Sequence, residues 1–146
     1  MTHTVLVVED NEADVELLRY FLRSGPNVTH LVIANDGVEA LRMLRGEPPF
    51  EKALVPSMIL LDLNLPRKDG REVLVELKGD PDLCQIPVIV LSTSDAPSDI
   101  RQAYALHANC YLRKPADADD FERTVRGIEE FWLNIAKLPP RVLTRI

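Results

Sequence analysis

The chain has 146 residues, of which 46% are apolar and 27% charged, and its net charge is −6. That length supports one domain with a real core and is too short for two comfortable ones. The acidic balance, with no basic run or stripe, argues against a nucleic-acid or anionic-membrane surface. No apolar stretch reaches the length of a membrane span, and the opening residues turn acidic too early for a signal peptide. Cys84 and Cys110 have no metal-like spacing and read as buried or idle thiols, so a reducing cytoplasm is the expected compartment.

Short apolar runs alternate with amphipathic stretches, five times over. The first run, Thr4–Val8, is nearly continuous in Val and Leu, as strands buried on both faces of a parallel sheet are. Val15, Leu18 and Leu22 then share one helical face. After the run His30–Ala34, Asp36 and Glu39 are spaced to open a helix as a capping box, and Val38, Leu41 and Leu44 follow on one side. Pro48, Pro49 and Pro56 bracket a longer loop before the run Met58–Leu61. Val73, Leu74 and Leu77 mark the next helix, and Asp80-Pro81-Asp82 breaks the chain before Val88–Leu91. A fourth helix is expected over about Pro97–Leu106, then a strand at Cys110–Leu112. A last helix opens at Asp117 and carries Phe121, Val125, Ile128 and Trp132. Strand–helix alternation in such short units implies right-handed crossovers and an α/β sheet covered on both faces. The expected domain is 1–136; Pro139 and Pro140 stop the helix, leaving 137–146 as a C-terminal extension.

In a doubly wound sheet, ligands sit beyond the carboxyl ends of the strands. Glu9 and Asp10 follow the first strand here, Asp62 and Asn64 the third, Ser92 and Thr93 the fourth, and Lys114 the fifth. Each alone has an ordinary explanation as a cap, turn or solvated residue. Together they put three acids, a hydroxyl and a lysine on one edge. Clustered carboxylates repel one another by roughly 1–4 kcal/mol per close pair. A hard cation bound through oxygen relieves that repulsion, and Mg²⁺ suits a site with few protein ligands plus water and phosphate. Asp62 would then remain ionised as a nucleophile toward phosphorus, with Lys114 neutralising the transferring group and Ser92 donating to one of its oxygens.

The motifs Val8-Glu9-Asp10, Leu61 through Pro66 with Asp69-Gly70, Pro87 through Ser92, and Tyr111 through Pro115 resemble the response-regulator receiver domain. The likeness runs from about Thr4 to Trp132. It implies a (βα)5 flavodoxin-like sheet in the order 2-1-3-4-5, with Mg²⁺ or Mn²⁺ held by Glu9, Asp10, Asp62 and the main-chain carbonyl of Asn64. It further implies Asp62 as phosphoacceptor from a histidine kinase, Ser92 as switch hydroxyl, Lys114 as phosphate partner and Tyr111 as a rotameric aromatic. The signal would leave through the fourth helix, fifth strand and fifth helix, without an output domain. Two departures stand out. Ala116 replaces a larger apolar residue, and Thr93 replaces a common Ala, which affects access to the phosphoryl group.

Pro66 through Leu74, Asp80 through Leu83, and Phe131-Trp132-Leu133 with Lys137-Leu138-Pro139 are similar to the single-domain regulators that partner phytochrome-type histidine kinases. That subgroup implies a homodimer through Tyr104, Phe121, Phe131 and Trp132, aided by the extension. Two other readings compete. A haloacid-dehalogenase-like phosphohydrolase needs a second acid where Asn64 stands, and a pseudo-receiver would bind partners without turning over phosphate.

Overall fold

The computed structural model describes residues 2–25 and 27–140. Five strands, β1 (Thr2–Val8), β2 (Val28–Ala34), β3 (Met58–Leu61), β4 (Val88–Ser92) and β5 (Cys110–Arg113), form one all-parallel sheet in the order β2-β1-β3-β4-β5. Helices α1 (Glu12–Arg23), α2 (Gly37–Arg45), α3 (Gly70–Gly79), α4 (Pro97–Ala105) and α5 (Ala118–Glu130) connect and cover it. The expected α/β architecture and strand order are the ones observed.

The strand periodicity of two divides the apolar side chains between two cores. Leu6, Val8, Ile59, Leu61, Val88 and Val90 face α2, α3 and α4, where Leu41, Leu44, Val73, Leu74 and Leu77 complete one layer. Val5, Val7, Met58, Leu60, Ile89 and Leu91 face α1 and α5, against Leu18, Leu22, Val125 and Ile128. Every residue of β3 and β4 is buried, which explains why these strands read as unbroken apolar runs. Burying one such Val, Leu or Ile contributes about 1.5–3 kcal/mol, so the central strands fix the sheet edge on which the acids stand.

Helix caps follow the sequence signals, with one shift. Asp36 Oδ1 accepts the Glu39 amide at 2.8 Å, but Glu39 reaches back to the Asn35 amide rather than to that of Asp36. Asp117 caps α5 through the Asp120 amide, and Gly46 ends α2 at φ +67°, where a side chain would be strained. The last helix does not continue regularly through Trp132. Phe131–Ile135 form a wider π-helical turn, after which Ala136 is extended. From there Leu138 packs on the α1/α5 core, and Pro139 and Pro140 line a cleft of about 200 Å³ with Pro56, Pro81 and Pro87.

Three surface expectations need correction or report. Phe121 is 2% exposed and its ring sits 6.4 Å from that of Phe21, so it is a core residue and cannot line a docking face. It occupies the inward side of α5 with Val125 and Ile128. Tyr104 and Phe131 are about half exposed, and Trp132 is partly buried against Phe131. Both cysteines are free thiols; Cys84 is exposed rather than buried. Among the described residues, no helix is long and apolar enough to cross a membrane.

Candidate functional site

The carboxyl ends of β1 and β3 meet at the point where the chain reverses its direction across the sheet, which is where open α/β sheets bind ligands. Glu9 and Asp10 leave the end of β1, and Asp62 leaves the end of β3. Their chain directions are locked by the Glu9 amide on Ala34 and the Asp62 amide on Val8. One oxygen from each of the three acids lies within 4.8 Å of the others. Glu9 and Asp62 are buried, whereas Asp10 is exposed at the mouth.

Lys114 reaches this cluster from the turn after β5, where its amide donates to the Ser92 carbonyl at 2.6 Å. Its side chain is 6% exposed, and Nζ lies 2.5 Å from Glu9 Oε1, 3.0 Å from Asp14 Oδ2 and 3.4 Å from Asp62 Oδ2. Burial pushes the Glu9 carboxyl up to about 7; the Lys114 hydrogen bond opposes this, and the Asp62 charge adds to it. Burial would lower the Lys114 ammonium, but its bonds to Glu9 and Asp14 and the Asp62 charge hold it above its ordinary value. The lysine is therefore a permanent cation in an acid-rich pocket.

The loop from β3 to α3 is shaped by close backbone packing. Asp62 Oδ1 accepts the Asn64 amide at 3.2 Å, and the Gly70 amide returns to the Leu63 carbonyl at 2.9 Å. A Cβ on Gly70 would meet the Asp62 carbonyl oxygen at 2.3 Å and Leu63 Cα at 2.6 Å, so only glycine permits this approach. Arg67, at φ +64°, turns its guanidinium onto Asp36 at 2.7 Å and ties the loop to the start of α2.

Ser92 is fully buried, and its Oγ accepts the Ser94 amide at 3.2 Å; Thr93 beside it is exposed. Among the described residues the Ser92 proton has no protein acceptor. Tyr111 is half-buried, with its hydroxyl donating to the Ser94 carbonyl at 2.9 Å, and its amide donates to Tyr104 Oη at 3.1 Å. Ser94 Oγ donates to Asp99 at 2.5 Å, and Arg71 joins Asp99 to Asp69. The loop after β4 is thus bonded both to β5 and to the start of α4. The sequence reading missed Asp14, which lies within α1 and adds a fourth carboxylate to the site. Its only sequence signal is a position four residues beyond Asp10 on a helix whose first turn faces the cluster.

The oxygen-only donor set and its unrelieved negative charge fit a hard divalent cation such as Mg²⁺ or Mn²⁺. Lys114 supplies one positive charge against the four acids, which leaves negative charge for a divalent cation to balance.

Comparison with known proteins adds the following. The model of the response regulator receiver domain matches residues 5–126. The response regulator Rcp1 of Synechocystis sp. is 46% identical over 135 residues, covering 92% of each chain. The crystal structure of the Mn²⁺-bound form of Rcp1 superposes with a TM-score of 0.90 at 45% identity, covering 94% of this chain and 99% of that one. The phosphorylated cyanobacterial phytochrome response regulator RcpA gives a TM-score of 0.92 at 48% identity, covering 96% of this chain and all of that one.

Proposed function

The chain belongs to the response regulator receiver family, and on that premise we propose that Asp62 accepts a phosphoryl group from a histidine kinase, with a phytochrome-type kinase the favoured donor. The observation that carries this reading is the buried Lys114 ammonium set among Glu9, Asp14 and Asp62 at the strand edge, beside the three acids that share 4.8 Å. The likeness to a phytochrome response regulator over nearly the whole chain supports the choice of kinase.

In the proposed reaction an Asp62 carboxylate oxygen attacks phosphorus in line with the leaving group. The new O–P bond forms as the N–P bond of the donor phosphohistidine breaks, and the electron pair leaves on the imidazole, which takes a proton from solvent. Lys114 swings from its carboxylate partners to a phosphoryl oxygen, and Ser92 turns its free proton toward another. Mg²⁺, held by Glu9, Asp10, Asp62 and the Asn64 carbonyl, would neutralise the phosphoryl oxygens. Water later attacks phosphorus and returns the Asp62 carboxylate with inorganic phosphate. Exposed Thr93 borders that approach, so its bulk tunes the lifetime.

Movement of Ser92 is transmitted by Ser94, whose amide, carbonyl and hydroxyl bond to Ser92, Tyr111 and Asp99. The signal is proposed to leave on the face of α4, β5 and α5, where two copies pair through Tyr104, Phe131 and Trp132. In this reading residues 1–136 are the receiver unit and 137–146 an extension. Incubation with Mg²⁺ and acetyl phosphate tests the reading, by assay for an acid-stable, base-labile phosphoprotein beside Asp62→Asn. Failure to label from any donor, cognate kinase included, points to a pseudo-receiver.

A further inference from the structure

Lys114 has a carboxylate partner outside the metal-binding trio. Asp14 stands at the third position of α1, where its own amide is fixed by Asn11 Oδ1 at 3.1 Å. A carboxylate there is favoured by the helix dipole and ordinarily points to solvent. Here the side chain is only 19% exposed and lies 3.0 Å from Lys114 Nζ. It does not join the group formed by Glu9, Asp10 and Asp62, so its one ionic partner in the site is the lysine.

The charge balance gives this contact a consequence. Four carboxylates surround Lys114 and the cation position, against three positive charges when a divalent ion is bound. Asp14 is the acid that leaves the site one negative charge in excess. It also competes directly for the ammonium that a phosphoryl oxygen must recruit.

We propose that Asp14 is a positioning and specificity-determining residue for phosphoryl transfer: by sharing the Lys114 ammonium and leaving the site net negative, it disfavours free dianionic phosphodonors. A docked kinase overcomes this opposition with binding energy from the rest of its interface, whereas a small acyl phosphate has none to draw on. The device therefore biases labelling toward the kinase. The inference rests on Asp62 as the phosphoacceptor and Lys114 as the phosphate's partner.

The test uses the intact chain with saturating Mg²⁺ at constant ionic strength. Initial rates of Asp62 labelling are compared for acetyl phosphate, a dianion near neutral pH, and phosphoramidate, a monoanion there. In Asp14→Asn the acetyl phosphate rate should rise about tenfold and the phosphoramidate rate about threefold, since each donor charge meets one fewer charge at close range. The resulting shift in donor preference should shrink as salt is raised. Asp14→Glu, which keeps the charge, should restore the original preference. Glu51→Gln, which removes an acid from the loop at the opposite end of the sheet, should leave it unchanged.

Equal acceleration with both donors, no acceleration, or the same shift in Glu51→Gln would overturn the role of Asp14. Should the Asn variant fold poorly, Asp14→Ala removes the same charge and takes its place in the comparison, with the same outcomes expected and excluded. A parent chain that takes no label at Asp62 from either donor fails the underlying reading instead, so the two failures are distinct.

Discussion

Lys114 and Glu9 lie 105 residues apart in the chain and 2.5 Å apart in the fold, both nearly sealed from solvent. The pair joins the end of the edge strand β5 to the end of the interior strand β1 across the sheet. Removing the lysine leaves Glu9 and Asp62 buried without a cation. Lys114→Met should destabilise the metal-free chain by about 3 kcal/mol, the low end for a broken buried pair because Glu9 can take up a proton. Mg²⁺ should recover much of the loss, while phosphorylation remains at least about a hundredfold slower. Thermal unfolding with and without Mg²⁺, alongside labelling rates, checks both halves.

Gly70 should tolerate no side chain. In Gly70→Ala the Cβ would press on the Asp62 carbonyl and Leu63 Cα, which are backbone atoms that cannot rotate away. The expected cost is roughly 1–3 kcal/mol, as for overpacking a close-fitted site. Because the displaced backbone carries Asp62, labelling should slow as well; urea denaturation and labelling rates measure the two effects.

Asp36 supplies a test by pH. Burial raises its pKa, but the Glu39 amide and the Arg67 guanidinium outweigh burial and hold it below the ordinary 3.8. A carboxyl depressed on folding contributes stability that is complete above the ordinary value and is lost as pH falls through the folded one. Asp36→Asn keeps an equivalent helix cap but loses the ion pair, whose Arg67 side is 60% exposed. Stability near neutral pH should therefore fall by no more than about 1 kcal/mol. The acid limb of the stability profile, followed by circular dichroism, should flatten relative to the parent.

In the proposed homodimer the exposed aromatic on the last turn is a contact residue. Phe131 stands half exposed at 5.3 Å from the Trp132 ring, beside a groove formed by Cys110, Leu112, Thr124, Gly127 and Ile128. Phe131→Asp should preserve the fold yet weaken the dimer by about 2 kcal/mol, roughly thirtyfold in dissociation constant. Sedimentation showing the parent chain purely monomeric at tens of micromolar would remove the assignment.

The fold was legible because burial on both faces writes itself into β1, β3 and β4 as uninterrupted apolar runs. The site was legible because topology places the residue after each strand on one edge. Two features escaped for physical reasons. Phe121 and Phe131 look alike in sequence, but α5 turns the first into the core, while the π-helical turn carries the second outward. Asp14 has the pattern of a common first-turn helix acid; only the angle at which α1 leaves β1 brings it to Lys114. Helix-terminal acids are favoured by the dipole wherever they point, so spacing alone does not separate the two roles.

The most direct measurement is the site of phosphate attachment. After reaction with a cognate kinase or acetyl phosphate in Mg²⁺, peptide mapping of the intact chain should place a single acid-stable, base-labile phosphate on Asp62, with no label in Asp62→Asn. Undiminished labelling of that variant, or attachment at another residue, would contradict the account.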